Sequence, residues 1–344
     1  MAGQASDALD VPRIESWFAA HAGPVELPLA FEQIAGGRSN LTFAVSDAAG
    51  RQWALRRPPL GRRLASAHDM GREFRIISAL AETAVPVAPT VGLAEDADEP
   101  FYVMRWVEGP VLRTLADAEL FPDLGERRAI AERVVDTLVA IHAVDPDAVG
   151  LGELARRSDY VARQLRRWRG QWDKQHTREL ALIEEVGDRL AARIPEQGPA
   201  TIVHGDYRLD NLILTAGGEV AAVVDWELAT LGDPLADVGM LLVYWGEDGD
   251  QLIPLLEPAT MAPGVLTRDE VARRYADRSG RDLSQIDFFV ALALWKLAII
   301  LEGVFARYSA GQYGRADADQ GLQRFARSVE RLARAADEAE RRLP

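Results

Sequence analysis

The chain reads as an α+β fold in two lobes, a small antiparallel sheet followed by a mostly helical body. Three features predict it. Residues 28–107 break into short apolar runs separated by turns rich in Gly, Asp and Pro, the pattern of a meander. Beyond residue 110 the apolar positions recur every three or four residues over long segments, the period of amphipathic helices. Within that body one stretch, 201–224, returns to short apolar runs, and its polar residues fall at the ends of those runs.

Taken in order, a helix is expected over 10–22, with Asp10 as its N-cap and Pro12 in its first turn. Three strands should follow within 28–56, the first turn running through Gly36-Gly37-Arg38-Ser39-Asn40. A helix over 66–81 places Met70, Phe74, Ile77 and Leu80 on one face, with Glu73 near its middle. Two more strands, 90–93 and 101–107, complete the sheet, and Glu108-Gly109-Pro110 turns the chain out of it. The lobes divide there, into 1–108 and 109–344. Helices are expected over 126–142, 152–175, 178–194, 233–244, 267–278, 283–308 and 316–340. His142 closes the first of these as a capping or packing residue.

The return to strands carries the chemistry. Ile202-Val203 delivers His204-Gly205-Asp206, and Asn211 comes five residues after the aspartate. A strand at 212–214, the turn Ala216-Gly217-Gly218 and a strand at 220–224 form a hairpin that ends on Asp225. The hairpin should set Asn211 and Asp225 close together, with Asp206 on the adjoining loop. One carboxylate and one amide oxygen suit Mg²⁺, which takes few protein ligands beside phosphate and water. A separate carboxylate, Asp206, can orient an attacking hydroxyl and accept its proton. Protein kinases use these parts in this order.

His204-Gly205-Asp206-x-x-x-x-Asn211, followed by Val224-Asp225-Trp226-Glu227, resembles the signature of the aminoglycoside phosphotransferase-like kinases. Gly232-Asp233-Pro234-x-x-Asp237-Val238 resembles the helix start that follows it in that family. The similarity is closest to the branch whose kinase domain is fused in some animal proteins to an acyl-CoA dehydrogenase. The resemblance covers nearly the whole chain. It implies a bilobal protein-kinase-like fold and ATP-dependent phosphorylation of a small-molecule hydroxyl, with Mg²⁺ and with ATP or GTP as donor.

It also implies roles in the first lobe. The Gly-rich turn, through Ser39 and Asn40, should cover the phosphates. The wider kinase fold holds the α- and β-phosphates with a strand Lys, but the first Lys here is Lys174. Arg56 stands at the matching place, where a planar fork replaces a point charge. Glu73 should pair with it. Adenine should meet backbone groups near 105–107, with Met104 and Trp106 lining the slot. No GxxxxGK[ST] occurs, so a Walker-type loop is excluded.

The acceptor is addressed by charge. Between Ala155 and Arg178 there are eight Arg or Lys against two Asp, in a chain of net charge −14. Tyr160, Arg163 and Arg167 share one face of the expected helix, with Trp168 and Trp172 on a neighbouring one. Arg163, Arg167 and Trp245 are the candidate acceptor residues. They point to an anionic acceptor, and the resemblance to the dehydrogenase-fused branch implies a hydroxy acid or hydroxyacyl-CoA. An aminoglycoside or macrolide kinase and a nucleotide-binding pseudokinase are the competing readings.

The acidic balance argues against nucleic acid and anionic membranes as partners. The absence of Cys excludes disulfides, zinc–thiolate sites and a Cys nucleophile. The N-terminus has no basic segment followed by an apolar stretch, and the longest apolar run, 288–301, contains Lys296 and is short for a bilayer. A cytoplasmic protein is expected, with no indication of its oligomeric state.

Overall fold

The computed structural model describes residues 9–34, 40–59, 69–95, 99–250, 257–309 and 318–343. Helix α1 (Val11–His21) starts where Asp10 accepts a hydrogen bond from the Arg13 N–H at 3.1 Å. The sheet follows: β1 (Ala30–Gln33), β2 (Leu41–Ser46), β3 (Gln52–Arg57), β4 (Thr90–Ala94) and β5 (Phe101–Arg105), antiparallel in the order β1-β2-β3-β5-β4. Strand alternation sorts its faces. Trp53, Leu55 and Val103 bury against Phe18 of α1, while Ala54, Tyr102 and Met104 join the core beneath α2 (Met70–Leu80). The same alternation turns Arg56 toward α2, where Glu73 is buried. β5 stops at Arg105, two residues before the expected end, because the chain there leaves the sheet edge for the second lobe.

The helical body comprises α3 (Leu124–Ala143), α4 (Tyr160–Gln175), α5 (Ala181–Ala192), α6 (Leu235–Tyr244), α7 (Arg268–Ser279), α8 (Ile286–Ser309) and α9 (Ala318–Arg341). α8 packs against α4, α5, α6 and α9. Among the described residues it alone is long and apolar enough to cross a membrane, yet 72% of its most apolar window is buried inside the protein. It reads as a core helix.

α4 and α5 begin later than their composition suggests. α4 starts at Tyr160 rather than 152, since Asp159 adopts a left-handed conformation (φ 55°) and the preceding arginines are drawn to Asp147 and Asp159. α5 starts at Ala181, because Arg178 instead reaches across to Glu302 at 3.1 Å.

The hairpin forms from β7 (Leu212–Leu214) and β8 (Val220–Val223). β6 (Thr201–Val203) pairs with β9 (Thr230–Gly232), a strand the sequence reading missed. That pairing closes a loop of polar residues between two short sheets, and the site is built there. The fold is α+β, a sheet lobe on a helical body.

Candidate active site

β6 delivers His204 into a loop pinned from below by Asp237, in the first turn of α6. Its carboxylate accepts the His204 N–H at 2.6 Å and the Gly205 N–H at 2.8 Å. Burial pushes its pKa up, but these donors and His142, 3.3 Å away, outweigh burial and hold it below the usual carboxylate range. His142 is itself braced by the Tyr275 hydroxyl at 2.7 Å, and burial holds its pKa low. The His204 ring accepts the Asp206 N–H on Nδ1 at 3.3 Å, so Nε2–H donates to the Val224 carbonyl at 3.0 Å. The imidazole thus ties the loop to the end of β8. Gly205 turns with φ 85°, where a Cβ would lie 2.9 Å from the Leu228 carbonyl oxygen.

These constraints aim Asp206 at the cleft, with a quarter of its side chain exposed. Burial raises its pKa against the pull of Arg208, His204 and Lys296. Asn211 donates to the Asp206 carbonyl at 2.8 Å and to its carboxylate at 3.1 Å, which leaves Asn211 Oδ1 as an acceptor facing away from that pair. Asp225 follows β8 in the left-handed region (φ 68°), a conformation that costs a non-glycine residue strain and recurs at functional sites.

Arg56 meets this group from β3. Its guanidinium lies 2.5 Å from Asp225, 3.2 Å from Glu73 and 3.5 Å from Glu227. Burial works against its charge, but Glu73, Tyr102 and Asp225 more than offset that and its pKa is raised. Burial also raises the Glu73 pKa, with Arg56 opposing. Asn40 is buried and donates to Glu227 at 3.2 Å. Ser39 lies outside the described residues. Met104 is buried opposite Ala54, and Trp106 is partly buried. The N–H groups of Arg105 and Trp106 donate to the Pro89 and Gln52 carbonyls at 2.8 and 3.3 Å. The first N–H of this stretch left to meet a base is therefore that of Val107.

Beside Gly205 opens a cavity of about 250 Å³, walled by Arg72, Gln164, Arg167, Trp168, Glu227 and Lys296 among others. Arg167 of α4 reaches this cavity. Arg163 does not: it turns back to donate to the Arg156 carbonyl at 2.6 Å. Trp172 is buried, with its indole N–H 3.3 Å from Glu184. Trp245 is buried too, donating to the Leu266 carbonyl at 2.7 Å, and it lines a separate narrow pocket shared with Arg208 and Asp210.

The sequence reading assigned no role to Arg208, Glu227, Asp237 or Lys296. Arg208 lies 3.6 Å from Asp206 and 3.3 Å from Asp210, with its guanidinium over the Tyr244 ring. Its place two residues after Asp206 was the available signal. For Lys296 the signal was a lone charge in the apolar run 288–301. Asp237 stood in the helix-start motif, but its partners lie more than thirty residues upstream, so its role was not readable there.

This arrangement was compared with known proteins. The model of the phosphotransferase enzyme family matches residues 30–289, from the first strand to the core of α8. The chain belongs to this family. Acyl-CoA dehydrogenase family member 10 of Mus musculus is 37% identical over 305 residues, 87% of this chain but 28% of that protein. Family member 11 of Homo sapiens is 29% identical over 303 residues, 85% of this chain and 38% of its own. The chain thus spans well under half the length of the curated relatives it matches. A solved structure of a candidate aminoglycoside phosphotransferase from Ralstonia eutropha is 32% identical, with a TM-score of 0.79 over 96% of this chain and 98% of that one. Macrolide 2′-phosphotransferase type I, at 16% identity and a TM-score of 0.60 over 96% and 98% of the two chains, shares the fold. As a member of the family, the chain is a phosphotransferase that acts on a hydroxyl group.

Proposed function

We propose that this chain moves the γ-phosphoryl group of ATP, with Mg²⁺, to a hydroxyl of a small anionic acceptor, a hydroxy acid or its coenzyme A thioester. The observation that carries the proposal is the convergence of Asp206, Asn211, Asp225 and Arg56 on one cleft from four separate elements.

Asp206 holds the acceptor hydroxyl and takes its proton as the oxygen bonds to the γ-phosphorus and the bond to the β–γ bridging oxygen breaks, releasing ADP. Its raised pKa makes it a better proton acceptor than an exposed aspartate. Asn211 Oδ1 and Asp225 would hold the metal. Their chemistry fits: both offer oxygen, and among the described residues no group of three or more His, Cys, Asp or Glu is placed to cage an ion. When bound, Mg²⁺ neutralises charge on the phosphates. Arg56, aimed by Glu73 and Glu227, holds the phosphates from the other side, with Asn40 near it on Glu227. Val107 meets the base, with Met104 and Trp106 along the slot. The protein contributes position and field, which is most of what phosphoryl transfer requires.

Two observations support an anionic acceptor. The relatives named above are acyl-CoA dehydrogenase family members, and Arg167 lines the cavity beside Gly205. The names of the structural neighbours favour an antibiotic acceptor instead. A polycation would meet like charge in that cavity.

The test is ATP consumption against short hydroxy acids, their coenzyme A thioesters, an aminoglycoside and a macrolide. Turnover confined to the antibiotics overturns the acceptor class. ATP binding without turnover of any acceptor, by a protein that also keeps its Mg²⁺-dependent affinity in Asp225→Ala, overturns the mechanism.

A further inference from the structure

The cavity beside Gly205 draws its cations from three elements far apart in sequence: Arg72 from α2, Arg167 from α4 and Lys296 from α8. Among the described residues none of the three has a carboxylate within ion-pair distance, in a protein with 53 acidic residues against 39 Lys and Arg. Arg72 spends one nitrogen on the Ala229 carbonyl. Lys296 donates to the Gly205 carbonyl at 3.1 Å, and its ammonium lies 5.4 Å from the centre of the Trp168 ring. Arg167 also lies against Trp168, at 5.5 Å. Glu227 borders the cavity, but Arg56 and Asn40 occupy it. Asp237, which lines an adjoining pocket with Lys296, is taken by two backbone N–H groups and His142.

Like charges gathered without a counter-ion cost free energy, and Arg167 weighs on the other two. Burial lowers the pKa of Lys296, with Arg167 adding to it and Asp206 and Asp237 opposing; burial lowers that of Arg72, with Arg75 and Arg167 adding and Asp69 opposing. A fold gathers such groups at little gain to itself, since Arg72 and Lys296 are partly buried beside the exposed Arg167 and a cation drawn from water without a partner is costly. We infer that Arg72, Arg167 and Lys296 form a subsite for one compact acidic group of the acceptor, with Lys296 as its specificity-determining residue. Resting on the phosphotransfer reading, this inference adds where the acid sits. Lys296 touches the carbonyl of the residue before Asp206, so an acid held there places the acceptor hydroxyl within the reach of the base.

A carboxylate of a free hydroxy acid and a phosphate of coenzyme A share this chemistry. Calorimetry on the intact protein separates them, with the nucleotide site held by a non-hydrolysable ATP analogue. Malonate probes the first source and adenosine 3′,5′-bisphosphate the second. One probe is expected to bind the wild type and to bind at least tenfold more weakly to Lys296→Met, with recovery in Lys296→Arg. Arg72→Gln, on a different helix, should weaken the same probe, and it stands in if Lys296→Met does not fold. Affinity for the ATP analogue should stay within twofold in all variants, which a collapsed catalytic loop would not allow. Equal probe affinity in wild type and both variants overturns the inference, as does a wild type that binds neither probe. Because binding is read without turnover, failure here is separate from failure of the phosphotransfer reading, which would show as anion binding with no ATP consumption.

Discussion

Arg56, on the sheet side of the cleft, lies within 3.5 Å of Glu73, Asp225 and Glu227, whereas Arg167 and Lys296, on the helical side, reach no carboxylate at ion-pair distance among the described residues. The first arrangement fixes a cation inside the fold, and its acids meet the cost of burying it. The second leaves charge unneutralised around a cavity. A cation already held by three acids serves orientation: its fork points one way before anything binds. Cations without acids serve recognition, because the missing partner must come from outside. The Arg-rich segment 156–169 shows the same division at small scale. Arg156, Arg157 and Arg169 are paired to surface acids, and such pairs are worth little. Arg167 on the cavity side has none.

Asp206 sits between the two sides and gives the largest expected effect. Asp206→Asn keeps the shape and loses the proton-accepting charge, so transfer should fall by about 10²–10⁴-fold. Nucleotide affinity and acceptor affinity should both survive. A variant that loses nucleotide binding would mean that Asp206 belongs to the sheet-side network, and the division drawn above would fail.

Arg56 is next. Arg56→Lys should retain measurable turnover and Arg56→Ala little, read as kcat with saturating ATP. Arg56→Ala also leaves Glu73 buried without its partner, and removing one member of a buried pair costs about 3–5 kcal/mol. The sign with pH follows from Glu73, whose pKa burial already raises. An acid with a raised native pKa keeps its proton longer folded than unfolded, where it ionises near ~4.3. Its contribution is therefore fully present below that value and is lost as pH rises through the native one. Without Arg56 the loss should steepen. Thermal melts of Arg56→Ala should fall further below wild type at neutral pH than at acid pH. A deficit independent of pH would deny Glu73 its part in holding Arg56.

How much of this was legible beforehand follows from distance along the chain. Asp206, Asn211 and Asp225 lie within twenty residues, and a single hairpin brings them together, so spacing alone carried the reading. The pairing of Arg56 with Glu73 needed a fold, which the order of strands and helix supplied. The three cations of the cavity are separated by ninety residues and more, and no local pattern says that α2, α4 and α8 converge. β9 went unseen because three residues, Thr230 to Gly232, carry no alternation. Gly232 is there for closeness: a Cβ would lie 2.3 Å from the Tyr160 ring. The helical period put Arg163 and Arg167 on one face, but it ignores what a long side chain does at a helix start. With α4 beginning at Tyr160, Arg163 is in the first turn, where the Arg156 carbonyl is within its reach.

That last difference yields the smallest and most discriminating effect. Arg163 and Arg167 have the same chemistry, stand four residues apart, and differ only in what they face. Arg163→Gln gives up a hydrogen bond to the Arg156 carbonyl from a partly buried side chain that faces away from the cavity. Acceptor KM should not move. Arg167→Gln removes one of three charges around the cavity and should raise acceptor KM several-fold, with ATP KM unchanged. The rise should shrink as salt increases, because added ions screen an exposed charge in the wild type as well. Measuring both variants side by side, with whichever hydroxy acid or thioester the wild type turns over, separates facing the cavity from merely belonging to a basic helix. Equal rises in both would mean that the helix acts through its summed field, and the distinction between oriented and recognising cations would then rest on Lys296 and Arg72 alone.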